Sequence, residues 1–288
     1  MIWLLFILVS ISTSAFALIF QKKFASNEKT NPIAGSVVFQ LFCGVLIGIF
    51  GILIGKLNIE IDLNTLLPNL VIMTVAYLLE TIFTFKALKL VNASVYRIIS
   101  GNKTVISIFL SVLIFSTSLN IYQALGIFLI LLATAVVHFK DKTSFKFNKG
   151  FVFCLLAALS YGVAIANDAF LVKQVEVYMY SAIAFILPAL ATVVFFPKDS
   201  FDLIKAPKSY LNKSSIISFV LYAISALTFY GALNSATNTN IVIGLSQLSS
   251  IATVILAIII LKEKSNMARK IIAAILGVSG LLIATLVK

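Results

Sequence analysis

The chain is built from apolar runs of about twenty residues that are separated by short polar breaks. Because a bilayer core takes about 20 mainly apolar residues per helical span, these runs are typical of transmembrane helices. A membrane barrel would instead show strict alternation of apolar and polar residues, which the runs lack. The sequence therefore predicts an all-α membrane protein with ten transmembrane helices. The predicted spans are roughly 2–20, 33–55, 66–88, 93–115, 120–139, 149–172, 177–196, 214–234, 239–261 and 270–287.

Composition and motifs exclude several classes of protein. Of the 288 residues, 61% are hydrophobic and 11% are charged, whereas a soluble domain has about 45–50% apolar and about 25% charged residues. The sequence holds no GxSxG, Walker or HExxH motif, so we expect neither an enzyme nor a chain that hydrolyses ATP. Cys43 and Cys154 are far apart, and His138 has no second histidine or acid at ligand spacing. We therefore predict no metal site and no cofactor.

The second half of the chain repeats the first half at a nearly constant offset. Three segments match in the same order, which chance similarity between apolar sequences would rarely produce. Because each unit has five helices, the second unit must enter the membrane from the opposite side. We expect two inverted five-helix repeats, residues 1–139 and 149–288, joined by a connecting loop at 140–148. The offset is 146 for Ser14 with Ser160 and Phe24 with Phe170, 145 for Val75, Tyr77, Phe85, Ala87 and Leu88 with Val220, Tyr222, Tyr230, Ala232 and Leu233, and 151 for Leu125, Gly126, Ala133 and Thr134 with Leu276, Gly277, Ala284 and Thr285.

The net charge of +12 reflects where the basic residues lie along the chain. Seventeen follow spans 1, 3, 5, 7 and 9, on what we call the lysine-rich face, and three lie on the opposite, lysine-poor face. The positive-inside rule places the lysine-rich face in the cytoplasm and both termini outside. The net charge is thus explained without a nucleic-acid partner. The expected partners are the lipid bilayer and a small-molecule metabolite. The lysine-rich set is Lys22, Lys23, Lys29, Lys86, Lys89, Lys140, Lys142, Lys146, Lys149, Lys198, Lys205, Lys208, Lys213, Lys262, Lys264, Arg269 and Lys270, and the lysine-poor set is Lys56, Lys173 and Lys288.

Four short segments carry a family signal. They are Ala157-Ala158-Leu159-Ser160-Tyr161-Gly162, Ala87-Leu88-Lys89, Ala232-Leu233-Asn234, and Lys262-Glu263 followed by Gly277. Together they resemble the drug/metabolite transporter superfamily, specifically its ten-helix members with two EamA-type domains. The chain departs from that pattern at Thr104 and Ser249, where proline is common, and at Thr117, where an acid is expected. Lys262-Glu263 stands where the pattern has Gly-Glu. The resemblance implies both termini in the cytoplasm, the opposite of what the lysine count predicts.

The repeat and the resemblance both imply transport by alternating access. We expect a secondary active transporter in the cell membrane that moves a small polar metabolite, anionic or zwitterionic. By resemblance, substrates in this superfamily include amino acids, nucleotide sugars, sugar phosphates and drugs, and many bacterial members are exporters. Two other classes stay open: a membrane-embedded lipid-handling protein or enzyme, and a structural or sensory membrane subunit without a solvated cavity.

Three ionisable residues inside the spans are the main site candidates: Glu80 in span 3, and Arg97 and Lys103 in span 4. Charges within a bilayer are costly and usually mark a functional site. With a rise of about 1.5 Å per residue, Glu80 lies roughly level with both bases. One interpretation is a buried ion pair that joins the two spans, and another is a net positive site for a carboxylate or phosphate. A third makes Glu80 the proton-coupling residue.

Residues at equivalent positions of the two repeats are further substrate-binding candidates. Asn102 corresponds to Gln247 and Tyr77 to Tyr222, so each pair is expected to face across the central axis. Interhelical hydrogen bonding or plain packing would explain the same residues. Asp168, late in span 6, is a weaker candidate that we expect near the outer edge, where it would cap the helix end or contact water.

The connection at 197–213 is the longest predicted one. Apolar residues such as Phe201 and Tyr210 lie among its lysines. This mixture is consistent with a short segment on the cytoplasmic interface, and equally with a solvated loop.

Overall fold

The computed structural model describes residues 2–57, 63–103, 105–106, 120–138, 148–237 and 239–286. Within these ranges the chain forms helices and short connections, and no strand. The helices are α1 (Ile2–Ala25), α2 (Pro32–Leu53), α3 (Leu63–Leu90), α4 (Ala93–Ile99), α5 (Ile121–His138), α6 (Lys149–Gln174), α7 (Val177–Phe195), α8 (Lys213–Ser235), α9 (Thr239–Ser246), α10 (Leu248–Ile260) and α11 (Met267–Leu286). Three single turns, Pro197–Ser200, Asp202–Lys205 and Pro207–Tyr210, join α7 to α8.

The described helices confirm an all-α membrane protein. Six of them, α1, α2, α3, α6, α7 and α8, are long and apolar enough to cross a bilayer, and two shorter apolar helices lie at Ile121–Val136 and Leu248–Ile260. Each of the six corresponds to one predicted span. The fourth predicted span, 93–115, is described only in part, and the predicted loop 140–148 lies outside the described residues except for its last position.

The helices of spans 4 and 9 are interrupted at matching positions. α4 ends at Ile99, and residues 100–101 form a turn before the chain becomes helical again. In the second half, α9 ends at Ser246 and α10 begins at Leu248. With the offset of 145 taken from the sequence, Gly101 corresponds to Ser246. The two interruptions therefore lie within two residues of each other in the repeat.

Serine hydroxyls accompany both interruptions. The Ser100 hydroxyl donates to the Arg97 carbonyl at 2.8 Å, and the Ser249 hydroxyl donates to the Ser246 carbonyl at 2.5 Å. Such bonds compete with the backbone hydrogen bonds of a helix and bend or loosen it. The helix breaks therefore arise without the proline that the resembled family commonly has here.

Helices of the two halves pack against each other in pairs. The most extensive pairs are α1 with α8, α3 with α6, α5 with α11 and α2 with α7, and α4 packs on α10. By the sequence offsets, α1 corresponds to α6 and α3 to α8. If each helix is replaced by its counterpart in the other half, the α1–α8 pair therefore becomes the α6–α3 pair. The α2–α7 and α5–α11 pairs each become themselves. Two units related by a two-fold axis would show this pattern.

Helices α5 and α11 approach closely at small residues. A β-carbon at Gly280 would lie 2.7 Å from the Gly126 carbonyl oxygen and 2.8 Å from Leu129 Cβ, so this crossing accepts only glycine without a shift of backbone. At Gly277 the added atom would lie 3.5 Å from Ala133 Cβ, which is an ordinary contact. Small residues at crossings are the usual means of close helix packing in membranes.

The start of α4 is capped from the other half of the chain. The Glu263 carboxylate accepts hydrogen bonds from the backbone N–H groups of Ala93 at 2.8 Å and Ser94 at 3.3 Å, and from the Ser94 hydroxyl. Lys270 pairs with Glu263 at 3.5 Å, and both side chains are buried. Because the first N–H groups of a helix lack partners within it, this carboxylate satisfies donors that would otherwise be buried without bonds.

Lys262, next to Glu263, adopts a backbone conformation that favours glycine. Its φ angle is 55°, in the left-handed region. The resembled family has glycine at this position, which adopts such angles without a steric cost. The substitution in this chain therefore carries a local backbone cost.

The connection between α7 and α8 docks on the start of α2. Tyr210 is buried, and its hydroxyl accepts a hydrogen bond from the Asn31 backbone N–H at 2.9 Å. The Asn31 side chain donates to Asp202 at 3.0 Å, and Lys205 pairs with Asp202 at 2.6 Å. The bonds from Lys205 and Asn31 hold the pKa of the Asp202 carboxyl below its ordinary value. The connection is thus an ordered, docked segment that keeps Phe201 exposed.

Candidate functional site

A cavity lies at the centre of the helices, between the two halves of the chain. It leaves about 90 Å³ in which the centre of a water molecule fits. Charged side chains, hydroxyl groups and aromatic rings share its wall. Five of the eight predicted site residues line it, and the other three do not. The lining residues are Tyr77, Glu80, Arg97, Lys103 and Tyr222, and those outside the wall are Asn102, Asp168 and Gln247.

Hydroxyl groups hold Glu80 in the cavity wall. Thr84 donates to one carboxylate oxygen at 2.9 Å, and Thr81 lies 3.0 Å from the other. Among the described residues, Glu80 forms no ion pair with Arg97 or Lys103. The ion pair between spans 3 and 4, one of the interpretations of the sequence, is therefore not formed, and the three charges remain separate features of one wall.

The two cations of the wall are held by weak or partial contacts. Arg97 donates from Nη2 to the Ser249 hydroxyl, which links α4 to α10. The Lys103 ammonium lies 4.1 Å from the centroid of the Tyr161 ring, a cation–π contact. Lys103 is 4% exposed, and its side-chain ammonium has no hydrogen bond to a described acceptor. Both cations thus face the cavity with bonding capacity left over.

Gln40 on α2 is a wall residue that the sequence interpretation missed. Its amide nitrogen donates to the Thr81 hydroxyl at 2.9 Å and to the Tyr77 carbonyl at 3.2 Å. These two bonds fix the amide, so its oxygen faces away from them. Within the described ranges, Gln40 Oε1 and Arg97 Nε are the two buried side-chain polar atoms that lack a hydrogen-bond partner. The available signal was a single amide within an otherwise apolar span.

The second half supplies different chemistry at the equivalent positions. Ser225 corresponds to Glu80, and its hydroxyl lies 3.2 Å from that of Ser10 on α1. Tyr222 packs edge-on against Phe39, with ring centroids 4.8 Å apart. Glu80 therefore has no acidic counterpart across the cavity, and the acid of the wall belongs to the first half.

Asn102 and Gln247 do not face each other across the cavity. The Asn102 amide donates to the Ile99 carbonyl at 2.7 Å and to the Thr134 hydroxyl on α5 at 2.8 Å. The Gln247 amide lies 3.2 Å from the Ser246 hydroxyl. For Asn102, the structure agrees with the alternative interpretation, an interhelical hydrogen bond.

Asp168 is buried in the bundle, contrary to the prediction of a position that contacts water or caps the helix end. Its exposed fraction is 0%, so it neither contacts water nor caps the end of α6. Tyr180 on α7 donates to it at 2.5 Å, and Tyr77 on α3 donates to its other oxygen. The hydroxyl of Tyr230 on α8 lies 2.8 Å from that of Tyr77. No sequence pattern indicated this cluster, because its members come from four separate helices.

Aromatic rings lie beside the cavity toward the lysine-rich face. Phe24 packs edge-on against Phe85 at 5.7 Å and against Phe219 at 5.5 Å between ring centroids. Phe39, which lines the cavity, contacts the same rings at 5.7 and 5.5 Å. The cavity therefore lies between an apolar aromatic layer on one side and the cluster around Asp168 on the other.

The chain shares its fold with a solved structure, and its first 139 residues match a family model. A solved structure, described as "Crystal structure of protein", has the same fold with a TM-score of 0.66, covering 98% of this chain and 96% of the other at 14% identity. No curated protein matches the sequence. Residues 1–139 match the model of the EamA-like transporter family, part of the drug/metabolite transporter superfamily. Residues 1–139, just under half of the chain, are therefore similar to the EamA-like transporter family.

Proposed function

We propose that the protein is a secondary active transporter, and not an enzyme, that moves small anionic or zwitterionic metabolites through the central cavity. The observation that carries this proposal is the cavity wall, where two bases and one acid lie at the centre of a membrane bundle. Gln40 Oε1 and Arg97 Nε lack partners among the described residues. Because buried polar atoms without hydrogen bonds are costly, we expect a ligand to supply the missing bonds.

The charges of the wall favour a ligand with a negative group. With both bases and Glu80 ionised, the wall carries one net positive charge. Attraction between charges is several-fold stronger in such a low-dielectric place than in water. A carboxylate or phosphate would therefore bind beside Arg97 and Lys103. A zwitterion would also place its ammonium group near the oxygens of Glu80 and Gln40, which accept hydrogen bonds.

Two five-helix domains, residues 1–139 and 149–288, are the moving parts in this proposal, with 140–148 as their connection. The sequence offsets, the paired packing of the helices and the matching helix breaks support this division. Rocking of one domain against the other would expose the cavity to each side of the membrane in turn. We propose that Glu80 takes up a proton when the ligand leaves, and that export is the direction of transport.

We propose the cell membrane as the location, with the lysine-rich face in the cytoplasm and both termini outside. The support is the unequal distribution of basic residues between the two faces. A reporter enzyme that is active only in the cytoplasm, fused to the C-terminus, should be silent. An active fusion would overturn this orientation in favour of the one that the family resemblance implies.

Ligand-induced thermal stabilisation of the purified protein tests the proposed function. The probes are succinate, glycerol phosphate, glutamate, alanine, choline and glucose, each at the same concentration. We expect at least one anion or zwitterion to raise the midpoint of unfolding, and Arg97→Gln or Lys103→Met to abolish that rise. Lys205→Gln is the matched control, because it removes a positive charge from the connection far from the cavity. It should leave the ligand-induced rise of the midpoint intact. Stabilisation by choline alone, or by none of the probes, would overturn the proposal.

A further inference from the structure

A second buried acid lies outside the cavity wall, and the proposed transport role does not use it. Asp168 has an exposed fraction of 0%, and within the described residues no base forms an ion pair with it. A carboxylate buried in a membrane protein without a base is costly, and such groups are usually functional. Its partners are hydroxyl groups: those of Tyr180 and Tyr77 donate to it, and that of Tyr230 bonds to Tyr77.

The cluster lies between the cavity and the lysine-poor face. Asp168 is six residues before the end of α6, and Tyr180 is three residues after the start of α7, so both lie within roughly 10 Å of that end of their helices. Tyr77 and Tyr230 also line the cavity. Their hydroxyl groups therefore separate the cavity from the carboxylate, and the cluster forms the floor of the cavity.

One carboxylate holds four helices together at this floor. Asp168 belongs to α6 and its donors Tyr77 and Tyr180 to α3 and α7, while Tyr230, which bonds to Tyr77, belongs to α8. The bond from Tyr77 to Asp168 crosses between residues 1–139 and 149–288, which are the two units that must separate on this side for the cavity to open. Beside it, the Asn167 amide donates to the Asn69 carbonyl at 2.8 Å, which also ties α6 to α3.

The hydrogen bonds of the cluster depend on the charge of the acid. An ionised carboxylate only accepts hydrogen bonds, so it can bind the hydroxyl hydrogens of Tyr77 and Tyr180 together. When a proton binds one carboxylate oxygen, that oxygen carries an O–H group that donates a hydrogen bond. The tyrosine hydroxyl opposite it is also a donor, so two hydrogens would point at each other. One tyrosine must then turn away or reverse its own hydrogen bond. The Tyr77 hydroxyl has an alternative acceptor in Tyr230, so it is the one that can leave.

We propose that Asp168 is a proton-binding site that locks the floor of the cavity when ionised and releases Tyr77 when a proton from the cavity binds it. This lock would control opening of the floor whichever ligand the cavity binds. Of the charged and titratable groups on the surrounding helices, only the three tyrosines bond to Asp168 or to its partners. These groups are Tyr77, Glu80, Lys86 and Lys89 on α3, Arg97 on α4 and Lys103 after it, Lys149, Cys154, Tyr161 and Lys173 on α6, Glu176, Tyr178 and Tyr180 at α7, and Lys213, Tyr222 and Tyr230 on α8.

Infrared difference spectroscopy of the purified protein tests the proton site without any ligand. Lowering the pH from about 9 to about 5 should produce the carbonyl band of a buried protonated carboxyl group. The band should be missing in Asp168→Asn and unchanged in Glu176→Gln, which removes another acid from the same end of the bundle. Tyr180→Phe removes one donor to the ionised form, so it should move the midpoint of the titration to higher pH. An identical titration in Asp168→Asn would overturn the proposal.

Cysteine labelling tests whether the proton opens the floor. Ala226→Cys, one turn before Tyr230 on the cavity wall, should react faster with a water-soluble thiol reagent as the pH falls, relative to the exposed position Ser235→Cys. In an Asp168→Asn background, labelling should be fast at every pH. Protection that is independent of pH, or a pH dependence that survives in Asp168→Asn, would overturn the proposal. Neither experiment uses a substrate. Both therefore test the proton-binding site even where no transported metabolite has been found.

Discussion

The Glu263 carboxylate accepts a hydrogen bond from the Ala93 backbone N–H at 2.8 Å, and thereby ties the α10–α11 connection to the start of α4. Glu263→Ala removes this cap, leaves two buried N–H groups without their acceptor, and leaves the buried Lys270 ammonium with the backbone carbonyl of residue 263 but no carboxylate. We expect a loss of about 2–4 kcal/mol in stability, measured as a lower midpoint of thermal unfolding in detergent.

The control for this change is Glu176→Ala. Glu176 caps the start of its own helix, α7, by accepting from the N–H groups of Tyr178 and Met179. A cap of this local kind is worth about 1 kcal/mol. Equal losses in the two variants would contradict the account of Glu263 as a connection between halves.

Lys262 has a φ angle of 55°, so side-chain branching at this position should be costly. We expect Lys262→Val to lower the unfolding midpoint, by an amount equivalent to about 1 kcal/mol or more, and Lys262→Gly to be tolerated. Lys264→Val, two residues along without a positive φ, should have a small effect. A Lys262→Val variant as stable as the parent protein would show that this backbone conformation is not enforced.

Gly280 and Gly277 offer a matched pair of substitutions on one helix. Gly280→Ala places a methyl group 2.7 Å from the Gly126 carbonyl oxygen, so α5 and α11 must separate. Gly277→Ala meets Ala133 at an ordinary 3.5 Å. We expect a clear loss of thermal stability in the first variant, of about 1–3 kcal/mol, and almost none in the second. The reverse order would contradict the described crossing.

Asp202 should make docking of the α7–α8 connection depend on pH. Because Lys205 and Asn31 lower its pKa in the folded protein, its contribution is present above the ordinary pKa of aspartate and is lost as the pH falls through the lowered value. The effect should be small, since the pair is exposed. A fluorophore at Lys208→Cys should report loosening below about pH 4. This transition should be missing in Asp202→Asn. If it persists in that variant, a group other than Asp202 causes the loosening.

The spans and the charged residues of the cavity were predictable because each depends on local composition. Runs of apolar residues identify membrane helices, and Glu80, Arg97 and Lys103 stand out within them. Gln40 was missed because one amide in an apolar span carries little weight until the residue is found in the cavity wall with an unpartnered oxygen. The repeat also identified Tyr222 as a wall residue.

The remaining differences arise from tertiary packing. Asn102 follows a helix break, so its direction could not be derived from the helical period, and it bonds to Thr134. Asp168 looked peripheral from its position in span 6, yet tyrosines from three other helices bury it. Tyr180 and Tyr230 could not be assigned to this cluster from sequence spacing, because only the folded arrangement of α3, α6, α7 and α8 brings the four residues together.

Flux through the reconstituted protein tests the central claim most directly. Proteoliposomes would be assayed for movement of labelled succinate, glycerol phosphate, glutamate, alanine and choline. We expect flux of an anion or zwitterion above that of protein-free vesicles. Arg97→Gln should lower this flux about tenfold or more, as expected when roughly 1.4 kcal/mol of binding is removed. Gly277→Ala should show normal flux. Flux of choline alone, or an Arg97→Gln variant as active as the parent protein, would contradict the central claim.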